Sequence, residues 1–212
     1  EEIPSWIMQG YGTMANEASD QLRQCGVNRP THVFVQAGVG SLAGAVVGYF
    51  TNLYPNDPPK FVVMEARAAD CLYQGAVAGD GKPRIVTGDL QTIMAGLACG
   101  EPNTISWDIL RNHVNAFVSC PDWVSAKGMR MLGVPVKGDP VVISGESGAV
   151  GMGCLDAIMC DDTYKDLREQ LELDRFSQVL MFSTEGNTDP LKFRRVIWDG
   201  EYPTTDSPQH AY

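Results

Sequence analysis

The chain has 212 residues, of which 16 are Lys or Arg, 26 are Asp or Glu and 44% are hydrophobic. That is enough to bury one substantial core and excludes a disordered tail or a disulfide-stapled miniprotein. A formal net charge of −10 supplies no basic footprint for phosphate backbones or anionic lipid, which argues against nucleic acid and membrane surfaces as partners. The longest strongly apolar stretch, Leu42 to Phe50, contains two glycines and is far shorter than the roughly 20 residues of a membrane-spanning helix; a soluble protein is expected. The cysteines Cys25, Cys71, Cys99, Cys120, Cys154 and Cys160 form no C-x-x-C pair. Without a signal peptide at the start, they fit a reducing, cytoplasmic compartment. Glu1-Glu2-Ile3-Pro4 has no initiator Met, which fits one piece of a longer polypeptide.

Helical spacing of Met14, Ala18 and Leu22 predicts a helix over Thr13 to Cys25, ended by Gly26. His32 to Gln36 is a short β-rich run that meets a glycine turn at Gly38-Val39-Gly40, and Leu42 to Leu53 reads as a buried helix after it. The order then repeats, with a strand at Phe61 to Met64 ending at Glu65, and a helix at Ala69 to Ala76. A short strand at Arg84 to Val86 and a helix at Thr92 to Ala98 are expected next. Ser106 is placed as N-cap of a helix over Asp108 to Phe117, with Asp108 in the favourable first turn. A further helix spans Asp122 to Leu132. The last third gives a strand at Val141 to Ile143, a glycine turn through Ser144 to Gly148, a helix at Ala149 to Met159 and a strand at Gln178 to Phe182. That last strand opens into the polar run Ser183 to Asp189. Such alternation predicts a three-layer α/β arrangement: a mostly parallel sheet with helices on both faces and ligands at the carboxyl ends of its strands. Residues 1–198 form the expected cofactor-binding unit and 199–212 a peripheral tail.

Gln36 to Gly44 lies between strand and helix, where glycines permit a sharp turn and leave N–H groups facing an anion at the helix N-terminus. A phosphate-bearing ligand follows; glycines kept only for close packing are the plain alternative. Gly38, Gly40 and Ala43 also satisfy a dinucleotide fingerprint, with Glu65 as a ribose-binding carboxylate, although Glu65 lies beyond the usual interval of about 20 residues.

Five blocks carry a resemblance: Trp6 to Met14, Gln36 to Gly40, Thr92 to Asn103, Ile143 to Gly151 and Ser183 to Gly186. In this order they resemble the diaminopropionate ammonia-lyase family, pyridoxal phosphate (PLP) enzymes of the tryptophan synthase β-type fold. The wider family often has four successive glycines in the first loop; here Ala37, Val39 and Ser41 interrupt them, as suits the ammonia-lyase branch better than the threonine dehydratase branch. The resemblance implies the large domain of PLP fold type II and elimination of ammonia from 2,3-diaminopropionate, giving pyruvate and ammonia. It implies a homodimer as well. A related serine or threonine dehydratase, or a folded but inert domain that binds only the cofactor phosphate, are the alternatives.

Carried over by position, Gly38, Val39, Gly40 and Ser41 hold the PLP phosphate. Thr184, with Ser183 as second choice, faces the pyridine nitrogen. A neutral hydroxyl there does not hold the ring protonated, leaving an electron sink suited to β-elimination; capping of a turn is the plain alternative. Glu65 and Glu146 are placed near the cofactor, and Tyr11 in a loop approaching substrate, with core packing beside Trp6 and Met8 as its other reading. The family's Schiff-base lysine and acid/base aspartates precede the Trp6 block. None of Lys60, Lys82, Lys127, Lys137, Lys165 and Lys192 matches that lysine, so no catalytic residue is assigned in this chain, and the missing N-terminal half is its expected partner. His32, His113 and His210 lack metal-ligand spacing, so no metal is expected, and no G-x-S-x-G elbow is present. Cys71 and Cys99 read either as buried small hydrophobes or as a redox-responsive pair. A nicotinamide-binding oxidoreductase rests on the fingerprint alone.

Overall fold

A computed structural model describes the backbone over residues 2–204 and side chains from residue 4 onward. Its four strands are β1 (His32–Gln36), β2 (Lys60–Ala66), β3 (Ala116–Cys120) and β4 (Val179–Met181), all parallel in the order β3-β2-β1-β4. Around them lie α1 (Glu2–Gln24), α2 (Ser41–Leu53), α3 (Cys71–Ala78), α4 (Thr104–His113), α5 (Asp122–Gly133), α6 (Glu146–Cys160), α7 (Lys165–Leu171) and α8 (Pro190–Ile197). The continuous apolar reading of β1 and β2 has a direct cause: both strands are covered on both faces. Val33, Val35, Phe61 and Val63 pack toward α1, α2 and α4, burying Ala15, Val46, Val47, Phe50 and Leu110. Phe34, Val62 and Met64 point the other way, against Val150, Cys154 and Ile158 of α6 and Leu171 of α7. The three-layer arrangement expected from the sequence is therefore present.

Several elements differ from expectation. Tyr11, expected in a loop, lies within α1 and is half-buried, while Trp6 beside it is exposed. Gly10 and Gly12 have open space where a side chain would stand, so they offer no packing reason to break the helix. The expected strand Arg84 to Val86 is irregular, with Val86 N–H bonded only to the Gly100 carbonyl. The helix expected at Thr92 to Ala98 shrinks to a single 3-10 turn at Ala95–Leu97. Asn103, not Ser106, caps α4; its side chain accepts from the N–H groups of Ile105 and Ser106. The helix consequently ends earlier, and Phe117 belongs to β3. Val141 to Ile143 is irregular and largely exposed. Beyond residue 198, Arg130 of α5 donates to the carbonyls of Glu201 and Tyr202, while residues 205–212 lie outside the described residues.

Candidate functional site

The carboxyl ends of β1 and β4 open into a cavity of about 540 Å3. The chain leaves β1 at Gln36, turns at Gly38 to Gly40 and enters α2 at Ser41. Gly40 adopts φ 95, a left-handed conformation available to glycine at little cost. That turn brings Gly38, Val39, Gly40 and Ser41 together on the cavity wall. Their N–H groups carry no hydrogen bond to the described residues. With the positive end of the α2 dipole behind them, they form a cradle for an anion. Gly44 serves packing instead, since a Cβ there would stand 2.9 Å from Ser106 Cβ; its bareness lets α2 lie close on α4.

Two carboxamides aim hydroxyls into this space. Asn103, its oxygen spent on capping α4, donates from Nδ2 to Ser41 Oγ at 2.9 Å. Gln36 donates from Nε2 to Thr184 Oγ1 at 2.8 Å and to the Phe182 carbonyl at 2.8 Å. Ser147 lines the same wall from the start of α6; its hydroxyl is buried and has no hydrogen-bond partner among the described residues. Such an orphan group is costly unless a ligand reaches it.

Tyr11, Gly38, Val39, Gly40, Ser41 and Thr184 all line this one cavity. Three other predicted site residues stand elsewhere. Ser183 donates to Ser144 Oγ at 3.0 Å and lies outside the lining. Glu65 is fully buried beneath α3, where its two carboxyl oxygens accept from Leu72 N–H at 2.9 Å and Tyr73 N–H at 2.7 Å. Burial pushes its carboxyl up to about 8, against the pull of those two N–H groups. Committed to α3, it cannot serve as a ribose-binding carboxylate, which removes the basis of the dinucleotide reading. Glu146 lines a neighbouring cavity of about 780 Å3 together with Asp122, Glu185, Asp189 and Lys192. Burial raises its carboxyl, and the charges of Glu185 and Asp189 raise it further.

Cys71 and Cys99 are free thiols in adjacent positions, the Cys71 Sγ lying 3.7 Å from the Cys99 carbonyl. Burial, then the neighbouring Glu65, pushes the Cys71 thiol up to about 12, which leaves it almost without thiolate at neutral pH. His32 is a core residue, with Nε2 2.7 Å from the Leu171 carbonyl. Gln36, Asn103 and Ser147 received no role from sequence reasoning. All three fall inside the blocks quoted for the family resemblance, the one signal that pointed at them.

Residues 4–167 match the pyridoxal-phosphate dependent enzyme family. Among curated proteins, the chain is 51% identical over 201 residues to the diaminopropionate ammonia-lyase of Salmonella typhimurium, and 50% identical to that of Escherichia coli K12. These alignments take in 94% and 95% of this chain and 50% of each relative, so the chain spans about half their length. Its structure is similar to that of the Escherichia coli diaminopropionate ammonia lyase in complex with an aminoacrylate-PLP azomethine reaction intermediate. The TM-score is 0.85, at 49% identity over 95% of this chain and 50% of that one. The processed form of threonine deaminase isoform 2 from Solanum lycopersicum shares the fold, at TM-score 0.68 and 18% identity over 89% of this chain and 48% of the other. With a family match that runs over most of its length, the chain belongs to the pyridoxal-phosphate dependent enzymes.

Proposed function

We propose that this chain forms the phosphate end and the ring-nitrogen side of the cofactor site in an enzyme that eliminates ammonia from 2,3-diaminopropionate, giving pyruvate and ammonia. One observation carries the reading: a free helix N-terminus at Gly38 to Ser41 and a hydroxyl proton at Thr184 face one cavity of about 540 Å3. The residues fit PLP. An anion cradle suits a phosphate, a neutral hydroxyl suits an unprotonated pyridine, and the orphan Ser147 hydroxyl offers one more donor.

When bound, PLP withdraws electrons from the substrate so that the α-proton and then the β-amino group can leave. The chain's own residues hold and orient. Gly38, Val39, Gly40 and Ser41 fix the phosphate by backbone N–H groups and the Ser41 hydroxyl. Thr184 meets the ring nitrogen, and Tyr11 closes the wall that α1 supplies. The lysine and the groups that move protons belong to the rest of the parent protein, consistent with a chain that spans half of its curated relatives. Residues 1–198 act as the large-domain portion. We place the parent in the cytoplasm as a homodimer, on the family resemblance. The likeness to two ammonia-lyases at about half identity favours diaminopropionate over serine or threonine as substrate.

Pyruvate formation by the full-length PLP-loaded protein tests this reading. Turnover of diaminopropionate well above that of serine and threonine is expected. Pyruvate from serine or threonine alone would make it a dehydratase, and a loaded protein that turns over none of the three would leave a binding domain without this activity.

A further inference from the structure

Gln36 is the last residue of β1 and stands two places before Gly38. It is 2% exposed, and a buried carboxamide on the cofactor side of a sheet must use its hydrogen-bonding groups. The nitrogen carries two protons; one goes to the Phe182 carbonyl and the other to Thr184 Oγ1, each at 2.8 Å. Turned over, the amide would set its own carbonyl oxygen against that of Phe182, acceptor to acceptor, so its orientation is decided by the backbone. A hydroxyl has a single proton. Thr184 Oγ1 already receives from Gln36, and none of the described residues accepts its proton. The proton is therefore left for whatever fills the cavity.

We propose that Gln36 is a positioning residue, which holds the Thr184 hydroxyl as a one-way donor and thereby keeps the ring nitrogen of bound PLP unprotonated. The inference rests on the cofactor reading above and adds to it a residue that does not touch the cofactor. To accept from a protonated ring, Thr184 would have to turn its own proton out of the cavity, where the described residues give it no acceptor. An unprotonated ring is the weaker electron sink, sufficient for loss of a β-leaving group and poorly suited to transamination. The same strand end thus delivers both the phosphate cradle and the group that sets the polarity of the ring contact.

The test uses the full-length holoenzyme loaded with PLP carrying 15N in the ring. An unprotonated, hydrogen-bonded pyridine shift is expected; a protonated ring nitrogen overturns the proposal, and this reading needs no variant to fold. Cofactor dissociation supplies the second readout. Gln36→Glu removes both donated protons and lets the carboxylate capture the Thr184 proton, so PLP retention should fall about tenfold. In a Thr184→Val background the same substitution should add less than about twofold, because the coupling has already been lost. Thr184→Ser, which keeps a hydroxyl, should restore the full dependence on Gln36. If the effects of Gln36→Glu and Thr184→Val are simply additive, Gln36 only braces Phe182 and the proposal is wrong. A full-length protein that takes up no PLP overturns the cofactor reading and this inference together, whereas a loaded protein with a protonated ring overturns the inference alone.

Discussion

The starts of α2 and α6 share a sequence logic: each follows a glycine turn, and each borders the same cavity. They differ in what meets their first N–H groups. At α6, Glu185 Oε2 accepts from Ser147 N–H at 2.9 Å, so the chain supplies its own anion. At α2, no acceptor among the described residues takes that place. The start of α3 is likewise occupied from within the chain, by the Glu65 carboxyl accepting from Leu72 and Tyr73, although burial favours its protonated form. A glycine turn ahead of a helix is thus only half of a phosphate site. The other half is the lack of a carboxylate from the same chain.

The contrast can be broken from either side. The largest effect is expected at Glu65, whose carboxyl is raised to about 8 by burial. Its raised value means that the native state holds a proton the unfolded chain has lost, so stability declines as pH climbs from the ordinary carboxylate range to about 8 and levels off above it. Glu65→Gln should remove that slope; urea unfolding at about pH 5 and about pH 9 measures it, and parallel slopes in the two proteins would contradict the assignment. Next comes Gly40→Val, which puts a branched side chain at φ 95 and a Cβ 3.3 Å from methyls of Leu72 and Leu110. A loss of about 2–5 kcal/mol is expected by chemical denaturation, together with loss of PLP retention. Glu185→Ala strips the internal anion from α6 and should cost about 1.5–3 kcal/mol, the range for a hydrogen bond to a charged group. Inorganic phosphate should then raise the melting temperature of this variant more than that of the unsubstituted protein; equal shifts would show that Glu185 does not occupy an anion position. The smallest effect is expected for Asn103→Asp. It keeps the cap of α4, so stability should stay within about 0.5 kcal/mol. It loses the proton given to Ser41, so PLP affinity should drop severalfold in a fluorescence titration.

The run from β1 through α2 to β2 was legible because its strands are buried on both faces and its punctuation is glycine. Edge elements were not. Ala116 to Cys120 is a short apolar run that periodicity alone cannot assign, and misplacing the cap at Ser106 carried the preceding helix on to Phe117, into its first two residues. Val141 to Ile143 has the composition of a strand yet pairs with no strand among the described residues, where Val142 N–H bonds to the Leu132 carbonyl. A β-branched run becomes a strand only where a neighbour offers a ladder. In the site, the glycine turn could be read as an anion cradle because its chemistry is local, whereas Thr184 came only from the family resemblance; both line the one cavity. Glu65 misled because a carboxylate at a strand end looks the same whether it faces a ligand or a helix. Gln36 and Asn103 stayed hidden because each acts through a hydroxyl distant in the chain.

Gln36 and Thr184 are 148 residues apart in sequence. The ladder beneath them, β1 against β4, joins the first of the described strands to the last. Contacts of such separation form late, because the entropy of closing the intervening chain must be met before they return anything. The ring side of the cavity is therefore expected to assemble after the glycine cradle, whose residues are neighbours in sequence. A ligand that binds across both sides of the cavity stabilises the closed form by mass action, so PLP should lengthen its life chiefly by slowing its opening.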